Sequence, residues 1–318
     1  MTIAHTNTLP QFSGQTMLTD GGLETVLIFD KGFDLPEFAS FPLLDSEHGR
    51  AALDSYYADF IDIAVSHHVG IVLETPTWRA STDWGVKLGY DTNGLDRVNR
   101  DAVEFVRAIA DRRATDTTQI VVSGSLGPRG DGYVPGSQMT VEEAEAFHTP
   151  QIVSLADAGA DMISIITVPY VEEGIGAAKA AASLGIPIVV AFTVETDGCL
   201  PTGQTLADAI EQADRETGDY PAAFGINCAH PDHFTDVLEQ GGAWLDRIGL
   251  VRANASRMSH EELDNAEELD AGDAQELGEQ YRTLRDLLPS LTVMGGCCGT
   301  DAQHVAAIGA ACLDPVGS

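Results

Sequence analysis

Eight short apolar runs, each followed by a longer stretch with helical periodicity, set the architecture of this 318-residue sequence. The runs fall at residues 16–19, 70–74, 119–123, 162–167, 187–193, 222–227, 248–253 and 291–294. Helical patterns lie between and after them, at 46–67, 95–113, 140–158, 171–184, 206–215, 231–240, 274–288 and 301–311. Within the third helix, Thr140-Val141-Glu142-Glu143 reads as a capping box. Regular alternation of strand and helix predicts a parallel α/β fold. A doubly wound open sheet alternates in the same way. Its glycine fingerprint is missing, because Asp20-Gly21-Gly22 after the first run lacks the third glycine and the helix directly behind it. The residues of chemical interest stand just after strands, and a closed barrel gathers those positions on one rim. The expected architecture is a single-domain (β/α)8 TIM barrel over residues 16–318 behind an N-terminal tail at 1–15. Residues 30–45 read as an irregular loop, and the acidic stretch 260–273 as a solvated loop or exposed helix.

The most unusual stretch is Gly295-Gly296-Cys297-Cys298-Gly299-Thr300, behind the last apolar run. Glycine admits backbone conformations and close approaches that other residues do not. Such a turn can aim two neighbouring sulfurs at one point. Cys228 holds a matching place behind the sixth run, before Pro231 opens a helix. Three thiolates at the ends of two strands make a soft site that leaves one zinc position open, the pattern of a catalytic ion. On local pattern alone two other readings stand beside it: a vicinal redox disulfide at Cys297-Cys298, and a buried apolar role for Cys228. His230 and His233 follow Cys228 but are expected as polar surface of a helix start, and Cys199 and Cys312 as ordinary thiols.

Composition narrows the function class. The formal net charge is −32 with three lysines, Lys31, Lys87 and Lys179, which disfavours nucleic acid and anionic membranes as partners. An acidic, heavily hydrated surface suits a salty cytosol. No window approaches a membrane span, residues 1–15 carry no signal pattern, and five cysteines form no disulfide framework. The expected compartment is the reducing cytoplasm.

Gly225-Ile226-Asn227-Cys228 and Gly295-Gly296-Cys297-Cys298-Gly299-Thr300 resemble the two zinc signatures of the homocysteine S-methyltransferase family. Supporting pieces are Leu18-Thr19-Asp20-Gly21-Gly22, Thr75-Pro76-Thr77-Trp78-Arg79-Ala80-Ser81, Gly124-Ser125-Leu126-Gly127-Pro128 and Phe192-Thr193-Val194. The resemblance implies an eight-stranded barrel with zinc held by Cys228, Cys297 and Cys298. It also implies that Asp20 helps bind the amino group of homocysteine, and that Asn254 matches the family's asparagine after strand seven. Two departures touch the acceptor pocket. Ile166 of Ile166-Thr167-Val168-Pro169 replaces a family glutamate, and Arg252-Ala253-Asn254 replaces Tyr-Pro-Asn. Arg252 is suited to a carboxylate.

The resemblance implies a zinc-dependent S-methyltransferase whose partners are a small thiol acceptor and a cationic methyl donor of the S-methylmethionine, betaine or S-adenosylmethionine type. A thiol entering the open zinc position would lose its proton, and transfer would annihilate the donor's charge. Trp78 is the first aromatic expected to cradle that donor, with Tyr133 and Tyr170 behind it. Glu195 and Asp197 point to the same rim. The alternative is a non-catalytic zinc- or thiol-binding barrel, motivated by the loss of the strand-four acid. An oligomer is compatible with either.

Overall fold

The computed structural model describes residues 9–266 and 268–313. Residues 1–8 of the expected tail, 314–318 of the expected domain and residue 267 of the acidic stretch lie outside them. The eight strands are β1 (Met17–Thr19), β2 (Gly70–Glu74), β3 (Ile120–Leu126), β4 (Met162–Val168), β5 (Ile188–Phe192), β6 (Ala223–Asn227), β7 (Ile248–Ala253) and β8 (Val293–Gly296). They are all parallel and close into a barrel in chain order. The seam joins β1 to β8 through Met17↔Val293 and Leu18↔Met294. Eight principal helices follow the strands: α1 (Glu47–Ser66), α2 (Thr92–Arg113), α3 (Val141–Asp157), α4 (Val171–Leu184), α5 (Leu206–Thr217), α6 (Pro231–Glu239), α7 (Ala274–Leu287) and α8 (Ala302–Cys312). The structure is the expected (β/α)8 TIM barrel.

Strands covered on both faces are apolar throughout, as in β5, where every residue of Ile188–Phe192 is buried. Their outward side chains pack on the helices in one large core. Their inward side chains, among them Met17, Val72, Met162, Val189, Leu250 and Val293, fill the barrel. Leu9 and Phe12 pack against this inner layer, and Gln11 is buried with its amide donating to Met162 Sδ at 3.1 Å.

The expected capping box forms: Thr140 Oγ1 accepts from Glu143 N, and Glu143 Oε2 accepts from Thr140 N. Helix α2 starts ahead of expectation because the Asp91 carboxylate accepts from Gly94 N at 2.7 Å. The expected loop at 30–45 contains two 3₁₀ turns, Pro36–Phe38 and Phe41–Asp45, each with proline in its first two positions. The acidic stretch departs most from expectation. A capping box between Ser259 and Glu262 starts a short helix at His260–Asp264, which turns His260 inward, where it is buried.

Candidate metal centre

The site is built where β6, β7 and β8 end. Cys228 N donates to Arg252 O, Asn254 N to Ala229 O, Cys297 N to Ala253 O and Ala255 N to Cys298 O. These bonds lace the three strand ends together. Tyr281 from α7 adds a buried hydroxyl that donates to Gly295 O and Val251 O and accepts from Ala253 N. Cys228 has φ +57°, a left-handed conformation that costs a β-carbon residue about 1–2 kcal/mol. That turn brings its sulfur back toward β8. On β8, a β-carbon at Gly296 would collide with Thr300 Oγ1, which donates to Cys297 O at 2.7 Å. Gly299 takes φ +75° to close the turn.

As a result the sulfurs of Cys228, Cys297 and Cys298 all lie within 4.8 Å of one another. Thiolates at about 2.3 Å around one tetrahedral zinc would stand about 3.8 Å apart, so the three fit a single ion. The three thiols interact by hydrogen bonds with one another. Hydrogen bonds from Cys297, Cys298 and Tyr133 pull the Cys228 thiol well below its usual range. The same bond to Cys228 pushes Cys297 up to about 12, and Cys298 is pushed up as well.

The other expected residues separate on inspection. Tyr133, on the loop between β3 and α3, places its hydroxyl 3.0 Å from Cys228 Sγ and 4.0 Å from Cys298 Sγ. Its ring lies 4.1 Å from that of His260, whose Nε2 bonds to Cys228 O at 2.9 Å and whose Nδ1 meets Glu195 Oε1 at 3.1 Å. Asn254 donates to Cys228 Sγ at 3.7 Å and accepts from Ser256 N. Tyr170 does not reach the site; its hydroxyl accepts from Met139 N. Asp197 holds a turn through Cys199 N. His230, expected at the surface, is buried and caps α6 by accepting from Asp232 N, because proline at the next position leaves the cap to its imidazole. Among the described residues neither His230 nor His233 joins the sulfur cluster, nor do Cys199 and Cys312.

A cavity of about 50 Å³ adjoins the sulfurs, lined by Asp20, Glu24, Glu74, Trp78, Ile166 and Arg252 among others. Asp20 and Arg252 form a buried ion pair at 2.6 Å. Burial works against the charge on Arg252, but Asp20 and Glu74 overcome it and hold the guanidinium firmly protonated. Above the sulfurs lies a wider mouth of about 360 Å³, bordered by Phe29, Phe38, Trp78, Tyr133, Asn254 and His260 and by Asp131, Glu268 and Asp270. One face of Trp78 is already covered by Arg79, 4.0 Å from the ring centroid.

Burial pushes the Glu74 carboxyl up to about 7, only partly offset by Arg252, and burial pushes Glu24 up to about 7 against a hydrogen bond from Ser40. An unfolded glutamate titrates near 4.3, so the folded state holds these protons more tightly. Stability from this source is complete below about pH 4.3 and is lost as pH rises through about 7. Glu74→Gln is expected to remove on the order of 2 kcal/mol of the stability lost between pH 5 and pH 8. Urea denaturation at the two pH values checks this; an unchanged difference would refute it.

A (β/α)8 barrel with three converging cysteine sulfurs at its C-terminal rim is the class that fold and site define. Residues 17–312 match the model of the homocysteine S-methyltransferase family, and the chain belongs to that family of methyltransferases. It is similar to the homocysteine S-methyltransferase of Escherichia coli strain K12, 28% identical over 246 residues, which span 69% of this chain and 74% of that protein. The selenocysteine Se-methyltransferase of Brassica oleracea var. italica is 23% identical over 324 residues, 93% of this chain and 88% of that protein. Among solved structures, the metallated form of the homocysteine methyltransferase MmuM from Escherichia coli superimposes with TM-score 0.73 at 20% identity, over 96% of this chain and 99% of that one. Its oxidized form gives 0.74 at 21% identity, over 94% and 97%. Among the described residues no helix is long and apolar enough to cross a membrane.

Proposed function

We propose that this chain is a zinc-dependent S-methyltransferase that moves a methyl group from a cationic donor to the thiol of homocysteine or a related thiol. The observation that carries the reading is the meeting of Cys228, Cys297 and Cys298 within 4.8 Å beside a rim cavity. Family membership supports the methyl transfer, and three soft thiolates suit zinc. When bound there, zinc would lower the pKa of a thiol that enters its remaining position.

The rest falls to the chain's own residues. Cys228, Cys297 and Cys298 would hold the ion. Tyr133 and Asn254, both bonded to the Cys228 sulfur, fix its direction. Asp20 lines the acceptor cavity and anchors Arg252 within it. Trp78 borders both the cavity and the mouth, which supports a role for it at the meeting of acceptor and donor. Asn254 borders the mouth. The carboxylates of Asp131, Glu268 and Asp270 outnumber Arg79 there, which favours a sulfonium or quaternary ammonium donor. Holding sulfur, methyl and leaving group in line is then the main catalytic task.

The test is a methyl-transfer assay on zinc-loaded protein with L-homocysteine and S-methylmethionine, betaine and S-adenosylmethionine as donors. Turnover with at least one of them is expected. Failure with every donor, on L-homocysteine and on other small thiols alike, despite bound zinc would favour the non-catalytic binding barrel. Trp78→Leu is expected to raise the donor KM by about 3–30-fold, the worth of one cation–π contact, and to raise the acceptor KM by less, since Trp78 borders both the cavity and the mouth. An unchanged donor KM would remove Trp78 from the donor site.

A further inference from the structure

Two residues that line one cavity, Arg252 and Glu74, each carry a buried side-chain atom without a partner. Arg252 donates from Nη1 to Asp20 Oδ1 and Thr19 Oγ1 and from Nη2 to Gly21 O. Its Nε is buried and has no hydrogen-bond partner among the described residues. Glu74 Oε2, on a side chain 6% exposed, is in the same condition. The two residues attract each other yet form no ion pair among the described residues. Both line the cavity that Cys297 and Cys298 border. Leaving such groups unpaired is costly, so a molecule that satisfies both is bound in preference to one that satisfies neither.

The chemistry of that molecule follows from the walls. It needs an anion for the Nε–H, a cation for Oε2 and a sulfur that reaches the three cysteines. An α-amino acid carrying a thiol has all three. A cavity of about 50 Å³ holds roughly three to five waters, which is the room an ammonium–carboxylate head needs. The strand-four side of the cavity is apolar at Ile166; of the acids in its walls Asp20 is taken by Arg252 and Glu24 accepts from Ser40, whereas Glu74 Oε2 on β2 has no partner among the described residues.

We propose that Glu74 and Arg252 form a clamp for the zwitterionic head of the acceptor, with Arg252 Nε–H on the carboxylate and Glu74 Oε2 on the ammonium. The clamp rests on the reading of the chain as a thiol methyltransferase, and it assigns the residues that meet the two ends of the acceptor's head. It also orients that acceptor, carboxylate toward β7 and ammonium toward β2.

Calorimetry on the intact zinc-loaded chain tests the clamp without any methyl transfer. The probes are L-methionine, 3-(methylthio)propylamine, which lacks the carboxylate, and 4-(methylthio)butanoate, which lacks the ammonium. Each truncated probe is expected to bind about 10–100-fold more weakly than L-methionine. Glu74→Gln is expected to abolish the preference over 4-(methylthio)butanoate with its melting temperature at pH 7 not lowered, and Glu74→Asp to restore part of it. Equal binding of the three probes, no binding of any, or a preference that survives in Glu74→Gln would overturn the clamp. Head-group selectivity without turnover would support the clamp and sink the methyltransferase reading. Turnover on homocysteine without selectivity would do the reverse.

Discussion

Cys298→Ser is expected to abolish metal retention: near-stoichiometric zinc in the purified wild-type protein, and roughly a tenth or less in the variant. Methyl transfer is expected to fall with it by about three orders of magnitude or more, since the nucleophile is no longer activated. Serine keeps the size of the side chain, but its hydroxyl does not ionise near neutrality and cannot replace a thiolate ligand. The fold should survive, because Cys298 is only half-buried and the bonds that lace the strand ends come from backbone groups. Cys199→Ser is the control. That thiol lies outside the cluster, so zinc content and activity should stay at wild-type levels. Elemental analysis of both variants decides the matter. Full zinc in Cys298→Ser, or none in the wild type together with a reversible Cys297–Cys298 disulfide, would remove the metal from the account.

The second large effect concerns stability. Asp20→Asn is expected to cost about 3–5 kcal/mol, because it leaves the Arg252 guanidinium buried without its counter-charge. Natural domains hold only about 5–15 kcal/mol in total, so the variant should approach the limit of folding at elevated temperature. Arg252→Met in the Asp20→Asn background should recover most of the loss, since the unpaired charge disappears. Urea denaturation of the three proteins provides the measurement. A single-variant cost below about 1 kcal/mol would show that water or a rearranged Glu74 already compensates the arginine.

These two sites differ in how far the chain itself announces them. Adjacent cysteines between glycines, and a third cysteine at another strand end, are local patterns; the barrel then makes their meeting a matter of geometry. The strands were legible because burial on both faces demands continuous apolar runs. Asp20 and Arg252 were legible as individual residues, but their pairing was not. They stand on β1's end and on β7, and only closure through β8 brings them together. Tyr133 sits on a loop whose Gly and Pro content gives no direction to its side chain. His260 was hidden in an acidic stretch that composition assigns to solvent, while the Ser259–Glu262 capping box sets its orientation. Glu74 was read as the last residue of a strand, and its isolation shows only against the surrounding walls.

The order of assembly follows from the seam between β1 and β8. The first strand has no neighbour on one side until the last one is made, and that same last strand delivers two of the three sulfurs. A nascent chain that has reached only residue 290 therefore presents one of the three cluster cysteines, Cys228, together with an open sheet edge. Ring closure and the meeting of the three sulfurs are therefore one event.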